Sequence, residues 1–232
     1  MTQRIVWMLL GWLVSGVAFA AALPVADLPL SRLKAPPGFE IELFARVPNA
    51  RQMALGQSTL FVGSMHEGKV YAVPLHGARK PLLIADDIRT PVGVAFRDGD
   101  LYVSAVSRIL RLRNIEARLN APPRPEFVSS AWPSDPHHGW KFIAFGPDGK
   151  LYVPVGAPCN ICAPDPDRYA TITRLDVSNG AIEVVARGVR NSVGFDWHPG
   201  SGELWFTDNG RDWLGDDAPP DELNRLDRPG RH

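Results

Sequence analysis

The chain has 232 residues, with 25 Lys+Arg balanced by 25 Asp+Glu and an apolar content of 45%. That length suits one sizeable domain, the composition suits a globular core, and the neutral balance gives no electrostatic reason for nucleic acid or an acidic membrane as partner. Its 22 prolines and 21 glycines imply many turns, more typical of an all-β protein than of a helical bundle.

The chain opens on "MTQRIVWMLLGWLVSGVAFAAA". Arg4, an apolar run from Ile5 to about Val14 and the Ala18-Phe19-Ala20 end match a secretory signal peptide over residues 1–22, with an N-terminal anchor as the other reading. No later stretch approaches the roughly 20 apolar residues that cross a bilayer. The expected product is an exported protein, periplasmic or secreted, without stable membrane insertion, whose domain covers residues 23–232 and whose cysteines meet an oxidising compartment.

Four segments then share one pattern: "MALGQSTLFVGSMHEGKVYAV", "VGVAFRDGDLYVSAVSRILRL", "KFIAFGPDGKLYVPVG" and "VGFDWHPGSGELWFTDNG". Each has an alternating apolar strand, a short turn rich in Gly, and a second strand opening on Leu plus an aromatic. Strand, tight turn, strand is a hairpin signal. The anchors Leu60-Phe61, Leu101-Tyr102, Leu151-Tyr152 and Leu204-Trp205 are spaced by 41, 50 and 53 residues. A β repeat of that period predicts propeller blades of four strands each. Third strands are expected at 69–75, 108–113 and 171–177, one or two helical turns over 115–121, and a long proline-rich surface loop over 120–136.

Between the second and third repeats stand His137 and His138, just ahead of an inner strand. An imidazole there is either a proton acceptor near neutral pH or a loop residue in a structural hydrogen bond. After the third hairpin comes Cys159-Asn-Ile-Cys162. It lacks the following His of a haem attachment, the further ligands of a zinc site and the βαβ setting of thioredoxin chemistry, so in an exported protein it reads as a local disulfide. Arg190-Asn191 occupy the fourth repeat's equivalent of the His138 position. Arg190 either binds a carboxylate or oxyanion or ties two blades together. The stretch "DNGRDWLGDDAPPDELN" (208–224) carries six carboxylates among Gly and Pro, which suits calcium's hard oxygen ligands or a solvated acidic loop.

These residues together resemble the soluble quinoprotein glucose and sorbosone dehydrogenases, six-bladed propellers that use pyrroloquinoline quinone (PQQ) and calcium. The likeness covers roughly residues 36–232, with the sorbosone dehydrogenase branch the nearest, and is carried mainly by "HHGWKFIAFGPDGKLYVPVGAPCNIC" and "RNSVGFDWHPGSGELWFTDNGRDWLGDD". It implies a six-bladed-type propeller with about four blades present, and a catalytic base at His138, eight residues before Gly146. It implies Arg190, Asn191 and Asn209 beside the quinone, with Arg190 also acting in catalysis. The calcium that holds the quinone would take the carbonyls of Gly210 and Arg211, and a downstream D-E-x-N motif, Asp221, Glu222 and Asn224, would contribute to further calcium sites. The expected reaction is oxidation of an aldose or related alcohol or aldehyde: His138 takes the hydroxyl proton, a hydride passes to the quinone, and electrons go on to an external acceptor. The family often has an Asp-Gln pair where this chain reads Val155-Gly156-Ala157-Pro158. It also continues for about two more blades with Lys and Arg residues that grip the quinone, so the resemblance implies weakened quinone binding and impaired activity here. A calcium-dependent propeller lactonase and a non-catalytic binding propeller are the alternative functions.

Overall fold

A computed structural model of the chain describes residues 28–230, so the expected signal peptide lies outside the described residues. Residues 28–42 carry one short 3-10 turn at Leu30–Arg32 and are separate from the unit that starts at Leu43. No described helix is long and apolar enough to cross a membrane.

The unit from Leu43 onward is an antiparallel β-propeller of four sheets taken in chain order. The first sheet is β1 (Ala50–Leu55), β2 (Thr59–Ser64), β3 (Val70–Pro74) and β4 (Leu82–Ala85). The second is β5 (Val94–Arg97), β6 (Asp100–Ser104), β7 (Ile109–Leu112) and β8 (Glu126–Ser129). The third is β9 (Ala144–Phe145), β10 (Leu151–Val155), β11 (Thr171–Leu175) and β12 (Ile182–Arg187), and the fourth is β13 (Phe195–Trp197), β14 (Leu204–Asp208) and β15 (Glu222–Leu226).

The repeated Leu-aromatic pair is the device that stacks the blades. Successive residues of a strand face opposite sides of its sheet. Leu101 and Val103 therefore join the core shared with the first sheet, while Tyr102 between them joins the core shared with the third. Leu151 and Val153 face back toward the second sheet, and Tyr152 faces the fourth. Each aromatic meets another at the end of the next blade's inner strand: Phe61 with Phe96 at 5.4 Å, Tyr102 with Phe145 at 5.1 Å and Tyr152 with Trp197 at 4.9 Å between ring centroids. Such pairs contribute about 0.5–1.5 kcal/mol each beyond their buried area.

Gln52 on β1 adds a polar tie. Its amide donates to the carbonyls of Val94 (3.0 Å) and Ile143 (2.7 Å) and accepts from Ile143 N–H (3.0 Å), joining the inner strands of three blades.

The proline-rich segment 120–136 departs from the loop expected there. It contains β8, the outer strand of the second blade, and Trp132, whose ring is buried and whose Nε1 donates to Thr173 Oγ1 at 3.0 Å. The short turn over 115–121 is a 3-10 turn at Glu116–Arg118.

Antiparallel order decides where the connections lie. Turns joining a blade's first strand to its second, and third to fourth, fall at one end of the sheets. These include Asp98-Gly99, whose φ values of +51° and +86° suit the tight hairpin turn that only such residues make cheaply. Connections from second to third strand, and from one blade to the next, fall at the other end.

Candidate active site

The sequence-expected site residues lie on connections of that second end, except Glu222 and Asn224, which stand on β15. His138 is between β8 and β9, the Cys159–Cys162 loop between β10 and β11, Arg190-Asn191 between β12 and β13, and Asn209 to Asp221 between β14 and β15.

His138 is half-buried and has φ +49°, a left-handed backbone uncommon for a residue with a side chain. Two neighbours hold it there. Its Nδ1 lies 2.8 Å from the carbonyl oxygen of Ala157. A carbonyl only accepts, so Nδ1 carries the proton and Nε2 is left as the basic nitrogen. Gly156 supplies the second constraint: a Cβ there would stand 2.4 Å from His138 Cβ and 3.3 Å from Asn191 Oδ1. The segment Val155-Gly156-Ala157-Pro158 lacks the polar pair of the resembled family. In this chain a main-chain oxygen orients the imidazole. Burial pushes the His138 pKa below its ordinary 6.5; the Ala157 bond opposes this, while the nearby His137 and Arg190 push it down further and Asp212 opposes them. The balance favours the neutral ring. His137 lies against it, tilted by 54°, at 3.9 Å between centroids.

Arg190 and Asn191 are fixed through their main chain. The buried Asp208 carboxylate accepts from Arg190 N–H at 2.9 Å and from Asn191 N–H at 2.7 Å. Burial raises the Asp208 pKa above 3.8, and these two N–H bonds pull it back. Arg190 O accepts from Ala157 N–H and Asn191 O from Asn209 N–H, which laces the three loops together. The Arg190 guanidinium donates to Asn209 O at 2.8 Å and to the Asn160 carbonyl and side-chain oxygens, all neutral acceptors. Its positive charge meets no carboxylate in these bonds. The Asn191 side chain is 9% exposed, and its amide hydrogen-bonds to nothing among the described residues.

A cavity of about 390 Å³ adjoins Arg190 and Asp208, lined also by Asn160, Asn209, Gly210, Arg211 and Glu222; His138 and Asn191 are not among its lining residues. That volume is within the range of about 300–1,000 Å³ common for small-molecule sites. Asp221 Oδ1 accepts from Gly210 N–H at 2.9 Å. The carbonyls of Gly210 and Arg211 accept no hydrogen bond among the described residues, and a Cβ at Gly210 would stand 3.2 and 3.3 Å from those of Pro219 and Pro220. Glu222 begins β15, so the D-E-x-N motif runs into a strand, with Asn224 Nδ2 bonded to Glu222 Oε2 at 3.0 Å. No group of three or more His, Cys, Asp or Glu side chains is placed to hold a metal among the described residues. Cys159 and Cys162 are joined by a disulfide at the cavity wall.

Two residues of this site were hidden from sequence reasoning. Asp208 stood out only as one carboxylate of an acidic run, and Asn160 only as filler between two cysteines. Neither has a local signal, because their partners lie 17 to 52 residues away.

This architecture is the propeller fold of the PQQ-dependent sugar dehydrogenases. The PQQ-bound aldose sugar dehydrogenase of Streptomyces coelicolor superposes with a TM-score of 0.63 at 22% identity, over 80% of this chain and 61% of that one. The PQQ domain of pyranose dehydrogenase from Coprinopsis cinerea gives 0.65 at 14% identity, over 77% of this chain and 50% of that one. An uncharacterized protein of Borreliella burgdorferi is 32% identical over 235 residues, covering 95% of this chain. The chain spans 59% of the length of that relative. No family model matches the chain.

Proposed function

We propose that this chain carries the proton-accepting and quinone-facing part of a PQQ-dependent dehydrogenase that oxidises an aldose or related alcohol or aldehyde, in the manner of a sorbosone dehydrogenase. The observation that carries this reading is the imidazole of His138, its Nδ1 committed to the Ala157 carbonyl and its Nε2 left basic, together with an Arg190 guanidinium whose hydrogen bonds all go to neutral oxygens. A substrate hydroxyl placed at Nε2 would give up its proton there, and the Arg190 cation would favour negative charge developing nearby.

The donor set suits PQQ, a quinone with several carboxylates. Arg190 keeps one Nη1–H beyond its four bonds to neutral oxygens, and Asn191 keeps its whole amide. Arg190, Asn191 and Asn209 would hold the cofactor. The carbonyls of Gly210 and Arg211, with Asp221 and Glu222, would hold calcium, which takes about 6–8 oxygens and accepts carbonyls as readily as carboxylates. When bound, PQQ supplies a carbonyl carbon that accepts a hydride, and calcium polarises that carbonyl. An external acceptor would then take the electrons. The disulfide supports an exported, periplasmic or secreted setting.

The test is dye reduction by the purified protein with PQQ and calcium, using glucose, other aldoses and sorbosone as substrates. Weak quinone-dependent turnover, most of which His138→Ala removes, is the expected result. Lactone hydrolysis without quinone would replace this reading with a hydrolase, and absence of both activities would leave a binding propeller. A melting-temperature rise when excess calcium is returned to chelated protein is expected independently, since a ligand of the native state alone stabilises it. No rise would remove calcium from the site.

A further inference from the structure

Asn160 is half-buried in the four-residue disulfide loop, and its five hydrogen bonds reach both Arg190 and Asp212. Its main-chain oxygen accepts from Arg190 Nε and Nη2, both at 3.3 Å. Its side-chain oxygen accepts from Arg190 Nη2 and from Asp212 N–H, both at 2.8 Å. Its amide nitrogen donates to Asp212 O at 3.2 Å. One residue therefore takes three of the four hydrogen bonds of the Arg190 guanidinium and clips the 209–212 segment to the same point. The remaining bond, to Asn209 O, leads into that same segment.

We infer that Asn160, held in place by the Cys159–Cys162 disulfide, is the positioning residue that aims Arg190 into the cavity. Guanidinium is a rigid planar fork whose direction of approach is set by the acceptors it meets. Here those acceptors are neutral, so the charge is steered without being cancelled. Carboxylates that would cancel it, Asp208 and Asp212, stand on the neighbouring segments. Without the clip, Arg190 is drawn to them. A loop closed by a disulfide across two intervening residues leaves Asn160 few other conformations, which accounts for a cystine beside the cavity rather than in the core. The consequence of this aim for catalysis rests on the proposed dehydrogenase reading; the aim itself does not.

Its test therefore uses the whole chain without quinone or sugar. The Arg190 Nε–H resonance, assigned by its loss in Arg190→Lys, reports the order of that side chain through its heteronuclear NOE. In the native protein the NOE is expected to match the backbone value. In the Cys159→Ser/Cys162→Ser pair it should collapse toward that of a free arginine, and in Asn160→Ala, which loses the side-chain clip but keeps the main-chain oxygen, it should fall clearly below the backbone value, while the dispersed methyl spectrum of the blades stays unchanged. Asn160→Asp keeps the side-chain acceptor and should retain an ordered Arg190. A rigid Arg190 in Asn160→Ala would overturn the positioning role, and one in the cysteine pair would overturn the part assigned to the disulfide. If the alanine variant does not fold, Asn160→Ser, too short to reach both partners, takes its place with the same two readings. Dye reduction failing while the NOE behaves as expected would count against the dehydrogenase alone.

Discussion

Replacing Lys141 with methionine is expected to stabilise the protein at neutral pH. Lys141 enters the inner strand of the third blade with 2% of its surface exposed. Its ammonium makes no hydrogen bond or ion pair among the described residues; only its carbonyl is used, by Ser104 Oγ at 3.0 Å. Burial alone pushes its pKa from 10.5 down to about 8. At about 1.36 kcal/mol per pH unit, holding the charge inside costs about 3 kcal/mol. Between pH 8 and 10.5 the unfolded chain binds the proton more tightly than the folded one, so this cost fades as pH rises through that window and is complete below it. Methionine fills similar space with no charge and leaves the carbonyl in place. At pH 7 Lys141→Met should gain about 3 kcal/mol, or about 6–12 °C in melting temperature for a chain of this size. By pH 11 the gap to the native protein should have nearly closed. Paired thermal and urea melts at the two pH values measure it, and the other alkaline groups cancel in the difference. A variant no more stable at pH 7, or a gap that ignores pH, would show that the ammonium has a partner and that the reasoning is wrong.

Gly156→Ala drives a methyl into His138 Cβ at 2.4 Å; it should cost about 1–3 kcal/mol of stability and at least tenfold in quinone-dependent turnover, read by melts and dye reduction. Asp208→Asn keeps one acceptor but turns an N–H toward a buried main-chain N–H, at a cost of about 1–3 kcal/mol visible in urea melts. The His138 imidazole should titrate below pH 6.5 by NMR, with its contribution to stability growing as pH rises through the interval between that midpoint and 6.5. Arg190→Ala should move the midpoint upward by removing a neighbouring cation.

The blades were legible because each repeats a local pattern that serves a fixed purpose: Leu faces the blade before it, and the aromatic faces the blade after. The outer strands were not. β8 reads Glu-Phe-Val-Ser with no buried residue, next to prolines, and an edge strand needs neither strict alternation nor a hydrophobic face. β15 was read for its acidic side chains, whose strand pairing with β14 depends on partners far along the chain. In the site, His138 and Arg190 could be found by spacing from recognisable strands. Asn160 and Asp208 could not, and neither could Gln52 among the inner strands. A polar side chain announces its chemistry in sequence but not its partner, and Gln52 finds Ile143 across 91 residues.

The division of connections between the two ends also has a practical meaning. The turns at Asp98-Gly99, Asp148-Gly149 and Asn179-Gly180 belong to hairpins that point away from His138 and Arg190. A tag, a surface linker or an electrode tether grafted there would leave the opposite rim facing solution. The protein thus has a built-in back side, and orientation on a support can be chosen by picking a turn.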